Sequence, residues 1–180
     1  LNNLGQNEVS FSTDTIAPEV TITSPTNTTY NTLSITLSGS TDEASNCEYS
    51  LNGNARVSLG SSPFSTLITA LEGSNNVDVF CNDSLQNQGT ASMSFSTDTI
   101  APEVTITSPT ATDYNTLNIS LTGSTNEDAT CEYSLNSAEN ISLGSSPFST
   151  SFTASEGNNL VVVSCVDALN NLGQASVSFS

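Results

Sequence analysis

Apolar and polar residues alternate through most of the chain, which is the period of a β-strand with one buried face. Val20 and Ile22 alternate with threonines, and Leu33, Ile35 and Leu37 continue the pattern a few positions later. No window shows a persuasive helical period. Five further segments of the same kind follow before residue 97, with apolar positions at Cys47, Tyr49 and Leu51, at Val57 and Leu59, through 64–71, at Val77, Val79 and Cys81, and at Ala91, Met93 and Phe95.

Short polar turns separate these segments. Asn52-Gly53 is a typical hairpin turn, and Pro18 favours an extended entry into the first strand. The segment 25–31 is predicted to be a loop. Seven or so short strands, at spacings near ten residues, indicate an antiparallel β-sandwich. The predicted fold class is therefore all-β.

The same pattern is present twice. Residues 13–25 (TDTIAPEVTITSP) return unchanged at 97–109, and the offset of 84 positions holds along the whole unit without a gap. Residues 1–12 match 169–180, so the chain is predicted to open with the last strand of a preceding unit, as a segment of a longer repetitive protein. The predicted domains are that strand over 1–12, one repeat over 13–96 and a second repeat over 97–180.

The amino-acid composition argues against two classes of binding partner, nucleic acids and membranes. The net charge is −17, with 18 acidic residues, no histidine and Arg56 as the single basic residue. Nucleic acid and anionic membrane surfaces both need clustered lysine and arginine, so neither is an expected partner. No apolar run approaches the roughly 20 residues of a membrane-spanning helix, so no membrane insertion is expected in this segment. Without lysine, Lys–Asn isopeptide cross-links cannot form, which leaves cysteine for covalent reinforcement.

Three motifs carry a family resemblance. The chain reads DTIAPEVTITSP at the start of each unit, LEGSNNVDVFCNDSLQNQG late in the first unit and SEGNNLVVVSCVDALNNLG late in the second. These motifs resemble the bacterial and archaeal immunoglobulin-like repeats of large surface proteins. CEYSLN followed by VxVxC resembles the cysteine-bearing, chiefly archaeal type. The resemblance implies tandem immunoglobulin-like sandwiches that serve as spacers, stalks, fibres or adhesins.

The cysteines lie on strand faces that also carry apolar residues. In an immunoglobulin-like arrangement their strands are neighbours, which implies internal disulfides Cys47–Cys81 and Cys131–Cys165. Closing each loop would contribute roughly 3–4 kcal/mol. Reduced core thiols are the alternative, and a four-cysteine metal site is disfavoured because the short Cys-x-x-Cys spacing is missing. Disulfides would indicate an oxidising compartment, hence an extracellular, cell-surface protein.

Four asparagines meet the Asn-x-Ser/Thr rule for N-glycosylation. Serine and threonine are so abundant that several matches are expected by chance, so unmodified turn and edge residues are the alternative. Sugar linked to serine or threonine hydroxyls is equally open. The glycosylation candidates are Asn27, Asn82, Asn118 and Asn140.

Carboxylates near the linker and turns are candidates for a structural calcium, because Ca²⁺ takes oxygen ligands from several residues. Related repeats sometimes hold a calcium at the junction between domains. The sequence lacks a dense D-x-D-x-D run, so aspartates that cap their own turns are the expected alternative, and no cofactor is expected with them. The weak calcium candidates are Asp14 and Asp98 in the linker, Asp83 and Asp167 after the second cysteines, and Asp42 and Glu43 in a turn.

Catalysis and sugar binding have little support. The sequence offers no histidine, no lysine and no recognisable nucleophile motif, so no catalytic residue is predicted. Glu48 and Glu132 lie between core positions on their strands and are predicted to face solvent. The chain has no tryptophan, and its other aromatic residues fall mostly at core positions, which disfavours sugar stacking.

These observations predict a structural role. The expected function is a repeating segment of an extracellular filament, stalk or surface-layer protein of a prokaryote, with an archaeal source favoured and with other copies or repeats as partners. The linker 97–102 is short and contains a proline, so it is predicted to be stiff. One alternative is an adhesin stalk or a binding module for a cell-surface partner. The other is a filament subunit that donates residues 1–12 as a strand to a neighbour.

Overall fold

The computed structural model describes residues 9–180 as two compact units. Unit 1 takes in the chain up to Thr29 and Ser34–Thr97, and unit 2 takes in Tyr30–Leu33 and Asp98–Ser180. In the first repeat the strands are β1 (Val20–Ser24), β2 (Thr29–Tyr30), β3 (Ser34–Thr41), β4 (Asn46–Leu51), β5 (Val57–Ser61), β6 (Phe64–Thr69), β7 (Gly73–Asn82) and β8 (Gln88–Thr97).

The second repeat has matching strands. They are β9 (Val104–Ser108), β10 (Asn118–Thr125), β11 (Thr130–Leu135), β12 (Ile141–Ser145), β13 (Phe148–Thr153), β14 (Asn159–Val166) and β15 (Leu172–Phe179). Within residues 9–180 the structure contains no helix with the length and hydropathy needed to span a membrane.

Each repeat folds as two antiparallel sheets. The first has the strand orders β1-β3-β6 and β2-β8-β7-β4-β5, and the second has β9-β10-β13 and β12-β11-β14-β15. The alternation read from the sequence agrees with these strands, and the all-β prediction is confirmed. One difference lies in the segment predicted to be a loop, because Thr29–Tyr30 forms the short edge strand β2 beside β8.

The core lies between the two sheets of each unit and consists of the inward side chains. Leu37, Val77 and Val79 are fully buried in unit 1, as are Leu121, Val161 and Val163 in unit 2. Each unit also needs one glycine opposite a phenylalanine ring. A Cβ at Gly39 would lie 2.6 Å from Phe64 Cζ and would overlap the carbonyl oxygen of Thr21, so only glycine lets the strands approach.

A disulfide closes the larger sheet of each unit. Cys47 lies directly opposite Cys81 on β4 and β7, and Cys131 lies opposite Cys165 on β11 and β14. Both pairs are bonded, each closes a sequence separation of 34 residues, and all four sulfur-bearing side chains are buried. The structure therefore agrees with the predicted internal disulfides, and the bond joins strands within one sheet.

A buried asparagine joins two turns in each unit. The side-chain amide of Asn159 donates to the carbonyls of Ser155 and Gly157 at 2.8 Å each, and its Oδ1 accepts from Ser155 N and Asn136 Nδ2 at 3.0 Å each. Asn75 forms the same set of bonds in unit 1. The sequence pattern did not point to these residues, because a polar side chain at an inward position interrupts the alternation.

The segment before β1 has no strand partner over residues 9–19. Val9 and Phe11 are 86% and 87% exposed, whereas Phe95 and Phe179, which match Phe11 in the two repeats, are buried. The prediction that 1–12 is the last strand of a preceding repeat falls largely on residues 1–8, which lie outside the described part of the chain.

Candidate metal centre

Three carboxylates meet at one end of unit 1. Asp14 lies in the segment before β1, Glu43 lies in the turn between β3 and β4, and Asp83 follows β7. One oxygen from each lies within 4.8 Å of the other two. The fold therefore collects residues that are 29 and 40 positions apart in the sequence into one cluster, here called the acidic triad of unit 1.

Unit 2 repeats the triad at the same offset. Asp98, Glu127 and Asp167 again bring their carboxylate oxygens within 4.8 Å of one another. Five of these six residues are calcium candidates that the sequence indicated, namely Asp14, Glu43, Asp83, Asp98 and Asp167. Glu127 was missed, although the 84-residue offset maps Glu43 onto it.

Asp83 is held firmly by the turn that follows it. Its Oδ1 accepts from the backbone N–H groups of Leu85 and Asn87 at 2.8 Å each, and its Oδ2 accepts from Asn87 Nδ2 at 2.7 Å. Burial raises the pKa of Asp83, but the hydrogen bonds from Asn87, Leu85 and Gln86 together outweigh it and leave the pKa below its ordinary value. The carboxylate is therefore charged and fixed in direction.

The same turn exists in unit 2. Asp167 accepts from Leu169 N and Asn171 N at 2.8 Å each and from Asn171 Nδ2 at 2.7 Å. Burial again raises the pKa of Asp167, and the bonds from Asn171, Leu169 and Asn170 lower it further than burial raises it. Two copies of one turn with the same bonds indicate that the geometry follows from the D-x-x-x-N spacing.

The asparagine of this turn also holds the chain segment that enters the unit. Asn87 Nδ2 donates to the carbonyl oxygen of Asp14 at 3.2 Å, and Asn171 Nδ2 donates to that of Asp98 at 3.1 Å. Each unit thus fixes its entering segment with its own loop. The first aspartate of each triad is positioned by this contact.

Asp42, which the sequence offered as a calcium candidate, accepts a hydrogen bond from the segment that enters the unit. Its Oδ1 accepts from the backbone N–H of Glu19 at 2.7 Å, and in unit 2 the side-chain oxygen of Asn126 accepts from Glu103 N at 2.8 Å. Since an uncharged amide does the same work, this position serves as a second anchor of the entering segment rather than as an acidic ligand.

Burial and repulsion from neighbouring carboxylates both raise the pKa of the glutamate in each triad. Burial raises the pKa of Glu43, and the charges of Asp14, Asp83 and Asp42 raise it further. Burial likewise raises the pKa of Glu127, with added repulsion from Asp98 and Asp167. A cation placed among three carboxylate oxygens would remove this repulsion, and hard divalent cations such as Ca²⁺ prefer oxygen donors of this kind. The donor set therefore fits Ca²⁺.

The glycosylation candidates differ in accessibility. Asn27, Asn118 and Asn140 are exposed, whereas Asn82 is half-buried and its Oδ1 accepts from Gln88 Nε2 at 3.2 Å. Asn140 Nδ2 donates to Glu132 Oε1 at 2.5 Å. Glycosylation at these positions stays a prediction.

Solved structures share this architecture. The three N-terminal domains of the highly immunogenic outer capsid protein (Hoc) of bacteriophage RB49 match with a TM-score of 0.52 and 10% identity, over 91% of this chain and 70% of that chain. The fibronectin(III)-like modules of Clostridium thermocellum CbhA match with a TM-score of 0.42 and 21% identity, over 89% of this chain and 92% of that chain. The units are immunoglobulin-like sandwiches.

A further match is a bacterial ice-binding adhesin of 1.5 MDa, with a TM-score of 0.47 and 19% identity. The matched region spans 90% of this chain and 63% of that structure. No protein-family model matches the chain, and no curated protein matches it. At these levels of identity the likeness concerns the immunoglobulin-like fold alone.

Proposed function

We propose that the chain is a load-bearing repeat segment of an extracellular, cell-surface protein of a prokaryote, in a stalk or filament. The observation that carries this proposal is the disulfide that each immunoglobulin-like unit closes within its own core, at the same place in both units. Buried disulfides of this kind suit an oxidising compartment. The resemblance of the DTIAPEV and CEYSLN motifs to surface-protein repeats supports the surface location and an archaeal source.

The disulfide limits how far a unit can be extended. When tension acts on the two ends of a repeat, the loop between its cysteines, which are 34 positions apart in the sequence, stays closed by the covalent bond. While the bond is intact, only the strands outside this loop, such as β3 and β8, can be pulled out to their full length. Each unit is therefore a module with a fixed maximum extension, which suits a protein that carries load and covers distance.

Single-molecule pulling between residue 13 and residue 180 tests the proposal. At ~3.4 Å per residue, unfolding of one 84-residue unit should release about 290 Å of chain when reduced and about 170 Å when oxidised. The matched control is the double variant Cys47→Ala and Cys81→Ala, in which only unit 1 should give the longer step. Release of the longer step by the oxidised wild-type protein would overturn the proposal.

We further propose that Ca²⁺ binds each acidic triad and fixes the segment that enters the unit. Carboxylates of Asp14, Glu43 and Asp83 would hold one ion, and those of Asp98, Glu127 and Asp167 a second. Burial, together with repulsion from the neighbouring carboxylates, raises the pKa of the two glutamates, and a bound cation would relieve that repulsion. The ion would supply positive charge and no chemistry.

Thermal unfolding with and without calcium tests this second proposal. At a Ca²⁺ concentration ten times the dissociation constant, each occupied site should add about 1.4 kcal/mol to the free energy of unfolding. The variant Asp14→Asn should lose the gain in unit 1. Asp42→Asn is the matched control, because unit 2 already carries Asn126 there, and it should keep the gain. An equal unfolding temperature in Ca²⁺ and in EDTA would contradict the proposal.

A further inference from the structure

Asn52 and Gly53 form the turn that follows β4. The backbone N–H of Asn54 donates to the carbonyl of Leu51 at 3.0 Å, and φ is 54° at Asn52 and 73° at Gly53. Positive φ at both central residues defines a type I′ turn, for which Asn-Gly is a preferred sequence. Both residues are exposed, and they are the one Asn-Gly pair of the whole sequence.

The side chain of Asn52 joins this turn to β7. Its Oδ1 accepts from the backbone N–H of Asn76 at 2.8 Å, and its Nδ2 donates to Asn75 Oδ1 at 2.9 Å. The backbone N–H of Asn52 also donates to the carbonyl of Asn76 at 2.8 Å. Three hydrogen bonds therefore hold this exposed residue against β7, and both polar atoms of its side chain are engaged there.

The hydrogen bond from Asn52 to Asn75 can run in one direction only. Asn75 is 3% exposed, and its Nδ2 already donates to the carbonyls of Leu71 and Gly73 at 2.7 Å and 3.0 Å. Its Oδ1 must therefore face residue 52 and needs a donor there. A carboxylate at residue 52 has no N–H to donate and would place one acceptor against another. Exchange of one nitrogen for one oxygen at this position therefore breaks the link.

Deamidation makes this exchange with water as the only reagent, and asparagine is among the thermolabile residue types. The backbone nitrogen of Gly53 forms a bond to Cγ of Asn52, and the side-chain nitrogen leaves as ammonia together with the amide proton. Water then opens the five-membered imide at either of its two carbonyls, which leaves aspartate or isoaspartate. One water is consumed and one ammonia is released. Glycine favours the first step, because it has no side chain to hinder the attacking nitrogen.

We propose that Asn52 is a site of spontaneous deamidation, which the closed turn protects until unit 1 opens. Ring closure requires Cγ of Asn52 to approach the nitrogen of Gly53, but in the closed turn the side chain is bound to β7. Opening of the turn releases it. The product cannot restore the bond to Asn75, so the change is irreversible and weakens the closed form. The fraction of aspartate and isoaspartate at residue 52 thus measures the time that unit 1 has spent open.

Unit 2 has the same turn with a less reactive pair. Asn136 Nδ2 donates to Asn159 Oδ1 at 3.0 Å, and Asn136 Oδ1 accepts from Leu160 N at 2.8 Å. The next residue is Ser137, whose φ is 64°. Its side chain hinders the attacking nitrogen, so Asn136 should react more slowly than Asn52 in an open chain. Unit 2 is therefore an internal control. This inference does not depend on the proposed load-bearing role.

Peptide mapping of the full chain after incubation in mildly alkaline buffer tests the proposal. A glutamate-specific protease should release 49–72 with Asn52 and 133–139 with Asn136, and each deamidation adds about one dalton to its peptide. In guanidinium chloride with reductant, Asn52 should react about tenfold faster than Asn136. In the folded, oxidised chain the reaction at Asn52 should be at least tenfold slower than in the unfolded chain, because it proceeds only from the open turn.

Exchange of the residue after each asparagine separates sequence from structure. Gly53→Ser should lower the rate at Asn52 in the unfolded chain to that of Asn136, and Ser137→Gly should raise the rate at Asn136 to that of Asn52. Each variant copies the residue of the other unit, in a turn where both residues already have positive φ, so the fold should be kept.

Asn52→Asp reproduces one product and tests its effect on the fold. Amide hydrogen exchange in β4 and β7 should become at least fivefold faster, whereas Asn54→Asp, which adds the same charge at an exposed neighbour, should leave it unchanged. The proposal is overturned if Asn52 reacts as fast in the folded chain as in the unfolded chain, or no faster than Asn136 when both are unfolded. It is also overturned if the two aspartate variants exchange at the same rate.

Discussion

Within each acidic triad, the pKa of one aspartate is lowered and the pKa of the glutamate is raised. Asp83 and Asp167 lie in turns where donated hydrogen bonds outweigh burial and lower the pKa. Glu43 and Glu127 are partly buried beside other carboxylates, and the pKa of each is raised. The folded state therefore takes up protons at the glutamates more readily than the unfolded chain, and at these aspartates less readily.

These directions predict a maximum in the pH profile of stability in EDTA. As the pH falls from 7 through the raised pKa values of Glu43 and Glu127, the free energy of unfolding should rise. Below the ordinary aspartate pKa of 3.8 it should fall, because Asp83 and Asp167 resist protonation only when folded. Urea unfolding followed by circular dichroism at a series of pH values measures the profile.

The double variant Glu43→Gln and Glu127→Gln is the control for this profile. It should remove the rise on mild acidification and keep the loss at lower pH. A wild-type profile that falls steadily from neutral pH would show that the pKa values of Glu43 and Glu127 are not raised in the folded protein in solution.

Part of each acidic triad could be predicted from the sequence. Asp14 and Asp83 were proposed as oxygen ligands, but a sequence pattern cannot show that a turn 29 residues away completes the cluster with Glu43. The role of Asn87 was also hidden, because its contact with the carbonyl of Asp14 exists only after the sheets have packed.

At the scale of elements, alternation predicted the long strands because each has one face of buried or partly buried side chains. It did not predict β2, since Thr29–Tyr30 is too short for a period and pairs with β8 only in the folded unit. The disulfides could be predicted from the resemblance to immunoglobulin-like repeats. The burial of Asn75 and Asn159 could not be predicted, because it depends on turns that meet only in the folded unit.

Asn159 joins the turn before β14 to the turn after β11, so its loss should loosen both elements. Asn159→Ala leaves the carbonyls of Ser155 and Gly157 and the N–H of Ser155 without this partner, and we expect a loss of about 3 kcal/mol in the free energy of unfolding. Chemical denaturation of the variant measures it. Asn158→Ala is the control at an exposed neighbour and should change stability by less than about 0.5 kcal/mol. Equal losses of stability in the two variants would show that the buried amide of Asn159 contributes no more than an exposed side chain.

At the scale of the whole molecule, the shortage of basic residues determines how proteases can act. Arg56 is the one site for a trypsin-like protease, and it lies between Cys47 and Cys81. Its side chain is 44% exposed but packs on Phe80 and pairs with Glu48, so cleavage should be slow.

A cut after Arg56 should leave the two pieces joined by the disulfide. Trypsin digestion should therefore leave the mass unchanged without reductant, apart from one added water, and should yield 1–56 and 57–180 after reduction. Mass spectrometry of the digest with and without reductant checks this. The matched variant Arg56→Asn, which copies Asn140 of unit 2, should resist cleavage entirely. Separation of the pieces without reductant would contradict the disulfide.

The hydrogen bonds from Asn87 to Asp14 and from Asn171 to Asp98 join residues that belong to the same 84-residue unit. Duplication of the coding segment for one unit therefore copies both the entering peptide and the loop that holds it. A gene that grows or shrinks by recombination between its repeats needs no compensating substitution at the new boundary. Chain length can then vary between lineages while the fold of every unit stays the same.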